Sequence, residues 1–416
     1  METRICYGEY TLRHWLELIL TRNVVLPDYQ RSFVWEDTDV KRLINSLQSG
    51  QFIPPVTIAH FVNKEQADNL ILDGQQRLTS ILLAYLGYVP IKEKFQESED
   101  GLAVGDDSNE DGDAVRSIEW TFNLLLDEDP RKNTLPLIIE RLRGDERYEK
   151  LDLVFPEGPE KFYDNTFLGF SFVLPSSPDA YEMQKYFSTL FRNMNYLGRR
   201  LSPLESRRSL YYLNAEYKNY FDGKLVGGED ILCSIRIKEN LQARKIDLVR
   251  YLSTLSQFVG LNDMKQVLKG YSAYSSRESY YADYVSYVVG LEQESRIDKF
   301  RGFVFKDQFP NNEWQDRYVL VKSFFERNLD GLGLDNKTTF TSWIDADYWL
   351  YGLLYWVVFN GKTITRDEEL VVMIKERVEA KRKPVEGNDY AKNPNRVGNL
   401  RERIQESIAI FAHYAE

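Results

Sequence analysis

Apolar residues recur at helical spacing in "TLRHWLELILT" (11–21), where Leu12, Trp15, Leu16 and Ile19 share one face. "NVVLPDYQRSFVW" breaks that period, and Pro27 holds the chain extended. A second amphipathic helix is expected in "EDTDVKRLINSLQSG", with Asp and Thr near its start, Val40, Leu43, Ile44 and Leu47 as its stripe, and Gly50 as its stop. "PPVTIAHFV" and "NLILD" read as strands joined by the polar turn "NKEQAD". After Asp73-Gly74 the pattern switches to an apolar helix, "QQRLTSILLAYL". Residues 118–175 read as a second β-rich segment that includes "SIEWTFNLLLD" and "TFLGFSFVL". Helices dominate from about residue 180 onward, with amphipathic stretches such as "KIDLVRYLSTLSQFVG" and "RERIQESIAIFAHYAE". The Tyr-rich run "YSAYSSRESYYADYVSY" has partly helical spacing, which favours packing over an open stacking surface.

At 416 residues the chain holds two or three domains. The net charge of −11 does not steer it toward DNA, so any nucleic-acid contact needs a local basic patch. Two distant cysteines, Cys6 and Cys233, suit a reducing compartment, and "METRICYGEY" lacks a signal-peptide core, so the expectation is cytoplasmic. The apolar run "YWLYGLLYWVVF" spans only 12 residues, where a bilayer needs about 20, and it reads as a buried helix. His14, His60 and His413 are scattered, which argues against a His-metal nuclease centre. The acidic stretch 96–117 reads as a solvated loop. Asp107, Asn109, Asp111 and Gly112 sit at calcium-loop offsets, but Ile118 stands where the closing glutamate belongs.

Three blocks carry candidate chemistry. In "DGQQR", Asp73-Gly74 makes a tight turn, and Gln75, Gln76 and Arg77 fall in the first turn of the following helix. Backbone donors, the helix dipole and a guanidinium there form an anion site. An ordinary strand–helix turn with solvated amides explains the same letters. In "PDYQRSFVW", Tyr29, Gln30 and Arg31 pair an amide with an arginine beside aromatics; a plain connector with Phe33 and Trp35 in the core fits as well. In "LFRNMNYLGRRLSPLESRRSLYYLN", Arg192, Arg199, Arg200, Arg207 and Arg208 crowd one window and could meet phosphates or pair with the acidic loop. Ser202-Pro203-Leu204-Glu205 is a capping box, which accounts for Glu205 without a metal or catalytic role.

"LPDYQRSFVW", "INSLQSGQFIPPVTI", "LILDGQQRLTSILLA" and "LFRNMNYLGRRLSPLE", in that order over roughly residues 8–215, resemble the DGQQR-motif family related to ParB, the N-terminal domain or S subunit of GmrSD-type modification-dependent restriction systems. The resemblance implies a fold class of α+β: a ParB/sulfiredoxin-like N-terminal domain (1–215) with a small mixed sheet, then a mainly helical domain (216–416). It implies nucleoside triphosphate binding and hydrolysis with Mg2+. Asp73, Gln76 and Arg77 would be catalytic. Gln30, Arg31, Gly74, Gln75, Arg77, Asn195 and Arg199 would bind nucleotide. Tyr29, Arg192, Arg200 and Arg207 would face DNA, including modified DNA, and Glu205 is a candidate metal ligand. Fused members of the family carry a nuclease domain with its own histidines. Residues 216–416 show no such domain, with His413 alone in that range, so a separate HNH-type nuclease subunit is the expected partner. A homo-oligomer is compatible with the sequence, and no membrane is implied. The competing readings are a non-catalytic DNA-binding or adaptor module and a ParB-like nuclease acting alone.

Overall fold

The computed structural model describes residues 3–27, 33–62, 67–95, 118, 120–175, 186–187, 189–190, 203–212, 214–239, 242–273, 276–291, 299–383 and 390–416. The chain divides into two compact units, with the boundary between Ser209 and Leu210. Together they make a mixed α/β protein. None of the described helices is long and apolar enough to cross a membrane.

The N-terminal unit is built on one four-stranded sheet. Strand β1 (Thr3–Thr11) runs antiparallel to β6 (Phe167–Pro175). β6 runs parallel to β2 (Val56–Val62), which turns back antiparallel into β3 (Ala67–Asp73), giving the order β1-β6-β2-β3. The sheet is therefore small and mixed. The opening strand had no signal in the hydrophobic pattern, because its Ile5, Tyr7 and Glu9 are exposed.

Helix α1 (Leu12–Leu20) starts where the Thr11 hydroxyl accepts the N–H of His14, and it buries Leu12, Trp15, Leu16 and Ile19. Its Trp15 indole donates to the Leu168 carbonyl at 3.1 Å and so ties the helix to β6. α2 (Asp37–Gln48) begins with a reciprocal box between Glu36 and Asp39 and buries Val40, Leu43, Ile44 and Leu47. α3 (Gln75–Leu86) is buried nearly all round and packs against one face of the sheet with α1 and α2.

Two short strands, β4 (Tyr88–Pro90) and β5 (Tyr148–Lys150), form a separate ribbon. Between them lies α4 (Leu135–Arg143), and α5 (Pro159–Asn165) leads into β6. The β reading of 118–175 is right for "TFLGFSFVL" and wrong for "SIEWTFNLLLD". Ile118 makes an isolated bridge, and Phe122–Leu125 is a short 3₁₀ turn. Trp120 and Phe122 are buried, but the backbone there serves as an anchor: the Trp120 carbonyl accepts the N–H of Phe33, and the Trp120 indole donates to the Tyr148 hydroxyl. The acidic stretch with its calcium-loop residues 107–113 lies outside the described residues.

The C-terminal unit is mainly helical. It also holds a three-stranded sheet of Arg236–Glu239, Gln242–Lys245 and Thr339–Phe340, which the hydrophobic pattern did not announce. Helices Leu248–Leu261, Trp343–Leu353 and Val397–Ala412 form its centre, and every residue of Trp343–Leu353 is buried. The run "YWLYGLLYWVVF" is thus a buried helix that continues into a π-helical turn at Leu354–Phe359. In the Tyr-rich segment, Tyr280, Tyr281 and Tyr284 pack inside helix Arg277–Val288, in agreement with the packing expectation.

Gly352 marks the closest helix contact. A Cβ there would meet the Phe411 ring and the Ser407 carbonyl far inside van der Waals contact, while the Gly352 N–H donates to the Ser407 hydroxyl at 2.7 Å. Gly352→Val is expected to destabilise this unit by about 3 kcal/mol or more through overpacking. Urea unfolding would measure the change, and an unchanged midpoint would contradict the close contact.

Candidate functional site

The "DGQQR" turn sits at the end of β3. Gly74 adopts φ +94°, and a Cβ on it would lie 3.0 Å from Val56 Cγ2 and 3.3 Å from Val56 Cα. Only glycine suits a left-handed turn that passes this close to a neighbouring strand. The N–H groups of Gln75, Gln76 and Arg77 precede the first intrahelical bond, from Leu78 N–H to the Gly74 carbonyl at 2.9 Å.

The two glutamines are not solvated amides. Gln75 is 7% and Gln76 6% exposed. Gln76 Oε1 accepts the backbone N–H of Val34 at 3.0 Å, across 42 positions of sequence. Lys92 Nζ donates to the Val34 carbonyl at 3.0 Å and pairs with Glu36. Phe33 donates its N–H to the Trp120 carbonyl at 2.8 Å, and the two rings meet edge-on at 5.5 Å. The chain that follows Tyr29-Gln30-Arg31 is thereby bolted to the first turn of α3. Neither motif block predicted Lys92 or Trp120 as part of this arrangement, because the contacts are to backbone atoms of Phe33 and Val34.

Arg77 turns back over the start of its own helix. Its Nη2 lies 2.6 Å from Asp73 Oδ2, while Nη1 donates to the Pro55 carbonyl at 3.2 Å and to the Pro54 carbonyl. The Arg77 side chain is 13% exposed and that of Asp73 is 56% exposed. The guanidinium thus latches the end of β3 to the chain entering β2, with the Asp73 carboxylate facing solvent beside the helix start.

Tyr29, Gln30, Arg31, Arg192, Asn195, Arg199 and Arg200 lie outside the described residues. Glu205 falls in the helix Pro203–Tyr211, which begins at the proline as its capping sequence implies; its side chain is outside the described set. Arg207 is 3% exposed, which sets its guanidinium away from a solvent-facing phosphate-contact surface. His14 pairs with Glu17 and stacks edge-on against Tyr10, and His60 Nδ1 lies 2.9 Å from Asn69 Oδ1. Among the described residues no group of three or more His, Cys, Asp or Glu side chains is placed to hold a metal ion. Asp73, half-exposed and paired with Arg77, is the carboxylate at this turn that could hold a magnesium ion.

An uncharacterized protein of Methanocaldococcus jannaschii is 26% identical over 234 residues, covering 45% of this chain and 39% of the archaeal protein. The chain thus spans well under half the length of that relative. No solved structure matches. Residues 15–212 match the family described as "GmrSD restriction endonuclease, N-terminal domain", a span that contains both bolted blocks and the Asp73–Arg77 turn. Residues 15–212 of this chain therefore belong to the family of GmrSD restriction-system N-terminal domains.

Proposed function

We propose that this chain is the nucleotide-dependent sensor of a bacterial or archaeal DNA restriction system, binding and hydrolysing a nucleoside triphosphate to control a nuclease carried on a separate chain. The observation that carries this reading is the Gln76–Val34 hydrogen bond, which joins two separate motif blocks at one helix start. The family match supports the restriction setting.

In this reading the N–H groups of Gln75, Gln76 and Arg77 receive the anionic end of the nucleotide, aided by the helix dipole. Gly74 keeps the approach open. Asp73 would hold magnesium, which would offset the charge of the phosphates. Arg77 exchanges the Pro54 and Pro55 carbonyls for phosphate oxygens, and Gln76 keeps the preceding block in register. Water attacks the terminal phosphorus, and the bond to the bridging oxygen breaks to leave the diphosphate and inorganic phosphate. ParB-like ancestry, Asn195 and Arg199 as further phosphate contacts, and DNA contact through Tyr29, Arg192 and Arg200 belong to the same proposal.

One observation favours a second reading. Arg77 already has three partners within the protein, as a purely structural latch would. The chain would then be a DNA-binding adaptor that needs no nucleotide. Phosphate release from ATP, GTP, CTP and UTP with magnesium, with and without DNA, separates the two. Turnover with one base is the expected result. No turnover in any condition, with DNA binding that falls steeply with salt, would replace the sensor by the adaptor. Metal-dependent DNA cleavage by the purified chain would instead make it a nuclease in its own right.

A further inference from the structure

The register of the sheet places four residues in one row across all four strands. Tyr7 of β1 pairs with Ser171 of β6, Ser171 with Thr57 of β2, and Thr57 with Asp73 of β3. Directly paired residues project from the same face of a sheet. This face is opposite to the one that α3 covers: Ile58 and Phe170, each one residue out of step with the row, pack with the helices, and so does Ile71, which pairs with Ile58 across a register shift that leaves Leu72 as an extra residue before Asp73. The next row up, Val173–Ala59–Leu70, is buried. The Tyr7 row is open: Tyr7 is 76% exposed and Asp73 is exposed. Tyr7 has no ring or hydrogen-bond partner among the described residues, and the Thr57 and Ser171 hydroxyls bond each other at 3.0 Å.

From this row we infer that the open sheet face is the nucleoside subsite of the nucleotide whose phosphates meet the Asp73–Arg77 turn. The inference rests on the nucleotide reading above and adds where the base lies. The row has an aromatic ring at one end, neutral hydroxyls in the middle, and a helix start with Arg77 at the other. Three strand spacings separate Tyr7 from Asp73, about 14 Å at the usual strand separation, which is the order of an extended nucleoside triphosphate. The charge distribution selects a mononucleotide. A polynucleotide needs cations along its whole length. Among the described residues along this row Arg77 is the basic one, at the phosphate end, and Glu9, exposed on the same face beside Tyr7, would repel a second phosphate. Tyr7 stacks on the base. Ser171 and Thr57 exchange their mutual bond for the ribose hydroxyls, and Glu9 accepts from an exocyclic amine or a ribose hydroxyl.

The test compares the nucleotide that the protein turns over with inorganic tripolyphosphate, both with magnesium, on the full chain. Tyr7→Ala is expected to weaken nucleotide binding about tenfold or more, the effect of losing one base stack, and to leave tripolyphosphate binding unchanged. Tyr7→Phe is expected to bind nucleotide as the parent does. Because Tyr7 is exposed and has no partner among the described residues, neither variant threatens folding. Equal nucleotide affinity in parent and Tyr7→Ala would overturn the subsite and leave the nucleotide reading standing. Equal weakening for nucleotide and tripolyphosphate would also overturn it, since the base would not be what Tyr7 senses. Loss of single-stranded DNA binding, or of a dimer, with nucleotide affinity unchanged would give the face to DNA or to a second copy and sink the proposal. A parent that binds neither probe removes the nucleotide reading itself and this subsite with it.

Discussion

Asp347→Ala is expected to destabilise the C-terminal unit by about 3–5 kcal/mol, the range for breaking a buried ion pair from one side. Asp347 is fully buried on helix Trp343–Leu353. Its Oδ1 accepts from Arg250 Nη2 and the Tyr251 hydroxyl, each at 3.0 Å. Its Oδ2 accepts from Arg250 Nη2 at 2.9 Å and from Arg403 Nε and Nη2 at 3.0 and 2.7 Å. One carboxylate thus joins all three central helices and neutralises one of two buried guanidiniums. Burial is the largest single effect and works against the charge on Arg250, but Asp347 together with Tyr351, Tyr251 and Tyr281 outweighs it, so the guanidinium ends well above its ordinary pKa.

A raised pKa on a base contributes stability that is complete below the unfolded value and lost only as pH rises through the folded one. Both lie far above neutrality, so the stability that depends on the Arg250 charge should be flat across ordinary pH. Alanine strands two cations in the core. Asp347→Ala combined with Arg250→Leu and Arg403→Leu should recover much of the loss, because the penalty is uncompensated charge rather than missing contact. Urea unfolding of the two variants checks both statements. A parent-like midpoint for Asp347→Ala would show that the triad carries no such weight.

Arg77→Ala is expected to lower phosphate release by about a hundredfold or more, the usual effect of deleting one charged donor from a transition state, with the fold retained. The latch it makes now is the reason the result is informative. As a structural element, Arg77 contributes bonds to two proline carbonyls and an ion pair to a half-exposed carboxylate, and such a surface-screened pair is worth about 1 kcal/mol or less. Asp73→Asn should therefore change stability little. If Arg77→Ala is folded and turns over nucleotide like the parent, the guanidinium is a latch only. If Arg77→Ala loses turnover while Arg77→Lys regains part of it, charge delivered to phosphate is what the position supplies.

Much of the N-terminal unit was legible because its helices and strands are half-buried. α1 and α2 each carry a periodic apolar stripe, and β2 and β3 are bounded by turn residues, so local pattern and tertiary burial agree. The same logic failed for "SIEWTFNLLLD", whose bulky residues are buried by anchoring contacts rather than by strand pairing. The helical half yielded its elements but not its chemistry. Arg250, Asp347 and Arg403 stand far apart in sequence, each within an apolar helical pattern, and nothing local marks them as one buried cluster.

The sequence by itself determined the succession α1, α2, β2, β3, the glycine turn after β3, the helix that opens with two amides and an arginine, and the family to which residues 15–212 belong. These are properties of neighbouring residues: period, turn propensity and a contiguous motif. Only the tertiary structure decided that Gln76 holds Val34, that Arg77 faces Asp73 and two proline carbonyls, and that Tyr7, Ser171, Thr57 and Asp73 lie in one row. Strand register and backbone-directed hydrogen bonds set those relations. A backbone carbonyl or N–H has no letter of its own, and register comes from packing across strands that are distant in the chain.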